Sequence, residues 1–188
     1  FKTTDLFHVY IHKYYYNKSI ADGYTLKIKK ENISTQFKKD VRDLLNMKES
    51  EEIPIKNWEL ATKQPVFVEK VCEYIVEDFD FFRTKRYEDM SLGCMIVTSS
   101  SEQARMIQEW FENNSKLKTA LVLYDEDYNK ENQEEFRGKK NEDNPNIIES
   151  KLHGVVVYNM LLTGFDAPRL KRLYLLRKIR EHSLLQTL

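Results

Sequence analysis

Two short stretches of this 188-residue chain carry side chains suited to handling phosphate. The first is Thr98-Ser99-Ser100-Ser101, a run of hydroxyls directly after the apolar segment Cys94 to Val97. Hydroxyls and free amides at a helix start can donate to phosphate oxygens without reading any base. Ser100 with Gln103 also fits a capping box, so the run suits a helix cap as well, and one loop can serve both purposes. The second stretch, Asn159 to Pro168, combines a flexible glycine, Gly164, with a carboxylate, Asp166. A plain turn ahead of Pro168 is the competing reading. Beyond it, Arg169, Lys171, Arg172, Arg177, Lys178 and Arg180 supply six positive charges before the first acid, Glu181. Strand alternation would separate Lys171 from Arg172, so a solvated face competes with one anion-facing patch.

Other chemistries find less support. His8 and His12 have the i, i+4 spacing of a helical metal pair, but no H-E-x-x-H glutamate or clear third ligand accompanies them, and aromatic packing is the better reading. No metal site is expected. Glu149-Ser150-Lys151 matches half of a nuclease motif, a triplet that arises by chance in so charged a chain. Glu77, Asp78 and Asp80 read as a solvated helix end, and Cys72 and Cys94 as buried and inert thiols. The 188 residues contain no G-x-x-x-x-G-K-[ST] phosphate loop and no Asp-Glu pair after a strand to hold Mg²⁺. No catalytic residue is therefore expected in this chain.

These stretches need a scaffold, and the composition supplies one. Hydrophobic residues make up 41% and charged residues 32%, with 11 Tyr and 10 Phe, far too apolar for a disordered tail. Thirty basic residues balance 30 acidic ones, which excludes a protein that coats nucleic acid or membrane by bulk charge. Two cysteines without zinc spacing point to a reducing, cytoplasmic setting. No apolar run approaches the ~18–20 residues of a spanning helix, so no membrane contact is expected. The chain opens at Phe1 and stops at Leu188 within a helical pattern, as an excised piece of something longer would.

Texture divides the chain near residue 87. In residues 1–87, Leu6 to Tyr16 reads as helical, Asp22-Gly23 as a turn and Tyr24 to Ile28 as a short strand. Phe37, Val41, Leu44 and Leu45 form one apolar helical stripe; Phe67, Val71, Tyr74, Ile75, Phe79 and Phe82 form another. From residue 88 onward strands alternate with helices. Strands are expected at Cys94 to Val97, Ala120 to Tyr124, Gly154 to Tyr158 and Leu173 to Leu176, with a helix burying Ala104, Ile107, Trp110 and Phe111 after the first. Asp125 to Asn146 carries eight acids against four bases and reads as a solvated loop or exposed helix. Such alternation implies parallel βαβ units, in which ligands gather at the carboxyl ends of the strands.

Met160 to Pro168, read as MLLTGFDAP, resembles motif V of superfamily 2 helicases and translocases, in the version found in the motor (R) subunit of type I restriction enzymes. CMIVTSSSEQA from Cys94 resembles that family's motif IV, RLKRLYLLRKIREHSLLQ from Arg169 its route to motif VI, and HKYYYNKSIADGYTLKI from His12 its interdomain segment. Tyr158, Asn159 and Thr163 stand where Thr, Asp and Arg are usual in the wider superfamily, which sets a DEAD-box RNA helicase aside. The resemblance implies an α/β, RecA-like three-layer domain over 88–188 with a mainly parallel sheet, preceded by a mostly helical extension over 1–87. It implies that Gly164, Asp166 and Gln186 face nucleotide, and that Thr98, Ser99, Ser100, Thr163 and Arg169 face DNA. ATP and Mg²⁺ would be bound mainly by a domain outside these residues. The implied parent is an ATP-driven double-stranded DNA translocase coupled to cleavage, working with methyltransferase and specificity subunits. Another superfamily 2 DNA remodeller, or a non-enzymatic RecA-like interaction domain, are the alternatives.

Overall fold

A computed structural model describes residues 18, 21, 22, 39, 42, 43, 62–145, 148–160 and 165–177. The chain divides into two compact units, Phe1–Ser34 and Thr35–Leu188. In the first, a helical turn closes where Asp22 N–H donates to Lys18 O at 2.9 Å, and their side chains pair at 3.2 Å, in agreement with the turn signal at Asp22. Lys39, Arg42 and Asp43 of the second unit are helical. The readings made for Leu6 to Tyr16, Tyr24 to Ile28, the Phe37 stripe and the helix after Glu181 fall on residues outside the described set.

Helix α1, Pro65–Phe81, starts with proline at its first turn, where a missing N–H costs nothing, and buries Phe67, Val68, Val71, Cys72, Ile75 and Phe79. This is the expected stripe, except that Cys72 and Val68 join it and Tyr74 is only half-buried. A π-helical turn, Phe82–Arg86, ends it, and Tyr87 N–H reaches back to Phe82 O at 3.2 Å.

Strand β1 (Gly93–Val97) leads into α2 (Ser101–Asn114) and β2 (Thr119–Val122). Helix α3 (Asn129–Arg137) follows, then the two-residue strands β3 (Lys139–Lys140) and β4 (Ile148–Glu149), which pair antiparallel. Strands β5 (Gly154–Val157) and β6 (Leu170–Leu175) complete the main sheet. Its order is β2-β5-β1-β6, and every pairing is parallel. The four expected strands are thus neighbours in one sheet, with β6 starting three residues before Leu173. Central β1 and β5 are buried along their whole lengths, as continuous apolar runs in a parallel sheet must be.

Side-chain alternation assigns the layers. Met95, Val97, Val155 and Val157 share a core cluster with Val122, Phe136 of α3 and Ala167. Arg172 and Tyr174 point to the opposite face, where both hold Asp78 of α1, and α1 packs on α2. Helices therefore cover both faces, the three-layer α/β arrangement the sequence implied. The polar stretch before residue 146 departs from expectation in one respect: α3 is largely exposed, yet Phe136 is 0% accessible and plugs the core. Gly138 then turns the chain at φ 74°, ψ −179°, a conformation open in practice to glycine alone.

Candidate functional site

The hydroxyl run sits at the carboxyl end of β1, and its local bonds explain its shape. Thr98 is fully buried; its amide donates to Val157 O at 2.8 Å, and its hydroxyl lies 3.0 Å from the same oxygen and 2.9 Å from Ser100 O. It stitches the ends of β1 and β5 together. Ser100 caps α2, its Oγ accepting from Gln103 N–H at 3.1 Å. The return half of the box is displaced by one residue: Gln103 Oε1 accepts from Ser99 N–H at 2.8 Å and from Ser99 Oγ at 3.0 Å. Gln103 is buried and also donates to Thr62 O at 2.9 Å, tying the loop to the chain ahead of α1. The cap reading is thus realised. Ser99 and Ser100 remain half-buried, and Ser100 still has its hydroxyl proton to donate.

The chain leaves β1 toward β2, past β5, and leaves β5 toward β6, on the far side of β1. The carboxyl ends of β1 and β5 therefore form the crevice of a topological switch point. Tyr158 and Asn159 open the second loop there, and Arg177 beyond β6 meets both, donating to Asn159 Oδ1 at 2.9 Å with its guanidinium 5.1 Å from the Tyr158 ring centre.

That loop does not stay at the crevice. Because β6 runs parallel to β1, the chain must travel back along the sheet before entering it. Phe165 stacks on Phe136 at 6.1 Å, Ala167 enters the core, and Arg169 O accepts from Gly93 N–H at 2.7 Å beside the amino end of β1. Asp166 and Arg169 thus lie toward the amino edge, roughly 15 Å of strand from Thr98. This corrects the expectation that the whole loop gathers with the hydroxyl run. Asp166 is exposed; its backbone O is held by Arg137 Nε at 3.1 Å, and its carboxylate has no partner among the described residues. Arg169 differs from its expected DNA-facing role: it is 3% exposed and donates to Ser91 O at 2.8 Å, Phe136 O at 3.2 Å and Leu152 O at 2.5 Å. Thr163, Gly164 and Gln186 lie outside the described residues.

The four described members of the six-charge run, Arg169, Lys171, Arg172 and Arg177, do not form one exposed patch. Arg172 forms a two-pronged bond with Asp78, which Tyr174 OH reinforces at 2.6 Å. Burial first, then neighbouring negative charge, pushes the Tyr174 phenol well above its ordinary range. Among the described members, only Lys171 is exposed. Asp78 was thus not one of three equivalent solvated acids; Glu77 and Asp80 are exposed as expected. No local signal reveals this clamp, whose partners lie 94 residues apart. The cysteines are buried, and desolvation drives the Cys94 thiol up to about 12, so both are inert. The described residues include no cluster of metal ligands and no helix long and apolar enough to cross a membrane.

Residues 60–188 match the family model for type I restriction enzyme subunit R, domain 3. The chain belongs to this family. Among proteins similar to this R-subunit domain is one from Methanocaldococcus jannaschii named as type I restriction enzyme MjaIXP endonuclease subunit, 30% identical over 129 residues, covering 65% of the chain and 12% of the relative. Another from the same organism, named for MjaVIIP, is 29% identical over 224 residues, covering 95% of the chain and 21% of the relative. The chain thus spans about a fifth or less of the length of these relatives.

Proposed function

We propose that this R-subunit domain is the second RecA-like motor domain of an ATP-driven translocase that moves double-stranded DNA and feeds its cleavage, in the cytoplasm, alongside methyltransferase and specificity subunits. The observation that carries this reading is the family match over a main sheet built entirely of parallel strands, together with an exposed Asp166 carboxylate that has no partner among the described residues. ATP and Mg²⁺ are held mainly by residues outside these 188, and Gly164, Asp166 and Gln186 complete the nucleotide site when the two motor domains close. Asp166 suits that role, being an exposed acceptor with a fixed backbone. Ser99, Ser100 and Thr163 serve the DNA backbone, with Thr98 and Arg169 acting from within to position the loops that carry them. The experiment is triplex displacement by the full-length subunit in its restriction complex. ATP-dependent displacement on long duplexes supports the proposal; ATP-independent cleavage with no displacement refutes it.

A further inference from the structure

The end of the sheet opposite the crevice holds a pocket of about 250 Å³, and apart from the positioning role of Arg169 the motor reading gives its lining no part. It is lined by Met90 and Ser91 ahead of β1, by Ser150 and His153 ahead of β5, by Arg169 ahead of β6 and by Glu149. These segments are fixed to one another, because Gly93 N–H donates to Arg169 O at 2.7 Å and Cys94 N–H to His153 O at 3.0 Å. Lys118 N–H donates to His153 Nδ1 at 2.8 Å, which requires that nitrogen to be bare and leaves the ring proton on Nε2. Arg169 spends Nε and one terminal nitrogen on carbonyls, leaving the other without an acceptor among the described residues.

Charge accounting points the same way. Arg83 and Arg169 are both 3% exposed, and neither forms an ion pair with a carboxylate among the described residues; Nε and one terminal nitrogen of Arg83 have no hydrogen-bond partner among them, and its guanidinium lies 4.7 Å from the Phe79 ring centre. Burial, with the charges of Arg83, Arg169 and Lys118, holds His153 down to about 4, so the imidazole is a neutral donor at physiological pH. Asp80 acts on Arg83, and Glu135 and Asp89 on Arg169, only through space; a buried cation that no carboxylate touches is costly, and an anion in direct contact offsets that cost. The one acid on the pocket wall, Glu149, keeps its charge while accepting from the neutral Asn141 Nδ2 at 2.5 Å, but it is exposed and screened by solvent.

We propose that this pocket binds a small tetrahedral oxyanion of the phosphate class, held by Arg169 and His153 between the amino ends of three adjacent strands. The test is equilibrium dialysis of labelled inorganic phosphate against the full-length subunit, with saturating Mg·ADP occupying any nucleotide site. His153→Asn keeps an acceptor for Lys118 N–H while deleting the Nε2 donor. Met90→Glu adds a competing carboxylate at an exposed position, 56% accessible, where folding is indifferent to the change. One phosphate bound in the millimolar range, weakened about tenfold or more by either substitution, is the expected result. Absence of binding up to tens of millimolar, or binding that neither substitution weakens, overturns the proposal.

Discussion

Removal of the Asp78 carboxylate, in Asp78→Ala, strips the only described cross-link between α1 and strand β6 made of charged groups. Arg172 donates to that carboxylate through Nε at 3.0 Å and through a terminal nitrogen at 2.8 Å, and Tyr174 OH donates at 2.6 Å. The Arg172 and Asp78 side chains are 15% and 21% exposed, between a surface pair and a buried one. Surface pairs contribute ~0–1 kcal/mol, whereas removing one partner of a buried pair costs ~3–5 kcal/mol. Partial exposure lets water reach the Arg172 guanidinium, which keeps its contacts with the Phe82 and Tyr174 rings, but Tyr174, itself 7% exposed, loses its acceptor in a dry site. The expected cost is about 2–3 kcal/mol. At ~2–4 °C per kcal/mol this lowers the domain's unfolding midpoint by about 4–12 °C. Hydrogen exchange of the Leu170–Leu175 amides in the full-length subunit reports the same loss locally. Asp78→Leu combined with Arg172→Met removes both charges and is expected to recover most of the stability. An Asp78→Ala variant within about 0.5 kcal/mol of the parent would show the clamp to be ornamental and the argument wrong.

Other expectations follow from the same packing. Phe136→Ala empties a fully buried ring site shared with Met95 and Val157 and should cost about 3–5 kcal/mol by denaturant unfolding; a cost below 1 kcal/mol would mean, on the order of such cavity effects, that α3 is not docked. Gly138→Ala combines a forbidden backbone region with a methyl driven into Glu149 O, and should destabilise the β3–β4 hairpin by roughly 1–3 kcal/mol, read as faster proteolysis there. His153 lies below its unfolded value of 6.5, so on acidification the unfolded chain takes up its proton first. Its contribution is complete above about 6.5 and is lost as pH falls toward 4, and His153→Asn should flatten the stability profile in that window. The isolated 188-residue chain should release no phosphate from ATP, with or without DNA, because it contains no phosphate loop.

The parts legible in the sequence were those governed by local pattern. The strands at Cys94 and Gly154 are short β-branched or apolar runs between polar turns, and the α2 cap is written in Ser100 and Gln103. Long-range partners left no such mark. Arg169 and Arg172 looked like surface charge because their acceptors, three carbonyls and Asp78, come from distant segments. Phe136 was hidden by its neighbours, since a single apolar residue in an acidic stretch has no periodicity to betray it. The return of the chain between β5 and β6 follows from the parallel pairing of β6, which fixes that Asp166 cannot remain beside Thr98.

The motor assignment stands or falls on Asp166, whose exposed carboxylate has no partner among the described residues. Asp166→Ala in the full-length subunit removes an exposed carboxylate and opens no cavity, so its thermal stability should match the parent. If Asp166 aligns the two motor domains around ATP, lost positioning of ~1.4–3 kcal/mol slows DNA-dependent ATP hydrolysis by roughly ten- to a hundredfold. Measured side by side, a stable variant with that loss of turnover is the expected result, and a stable variant with unchanged turnover contradicts the account.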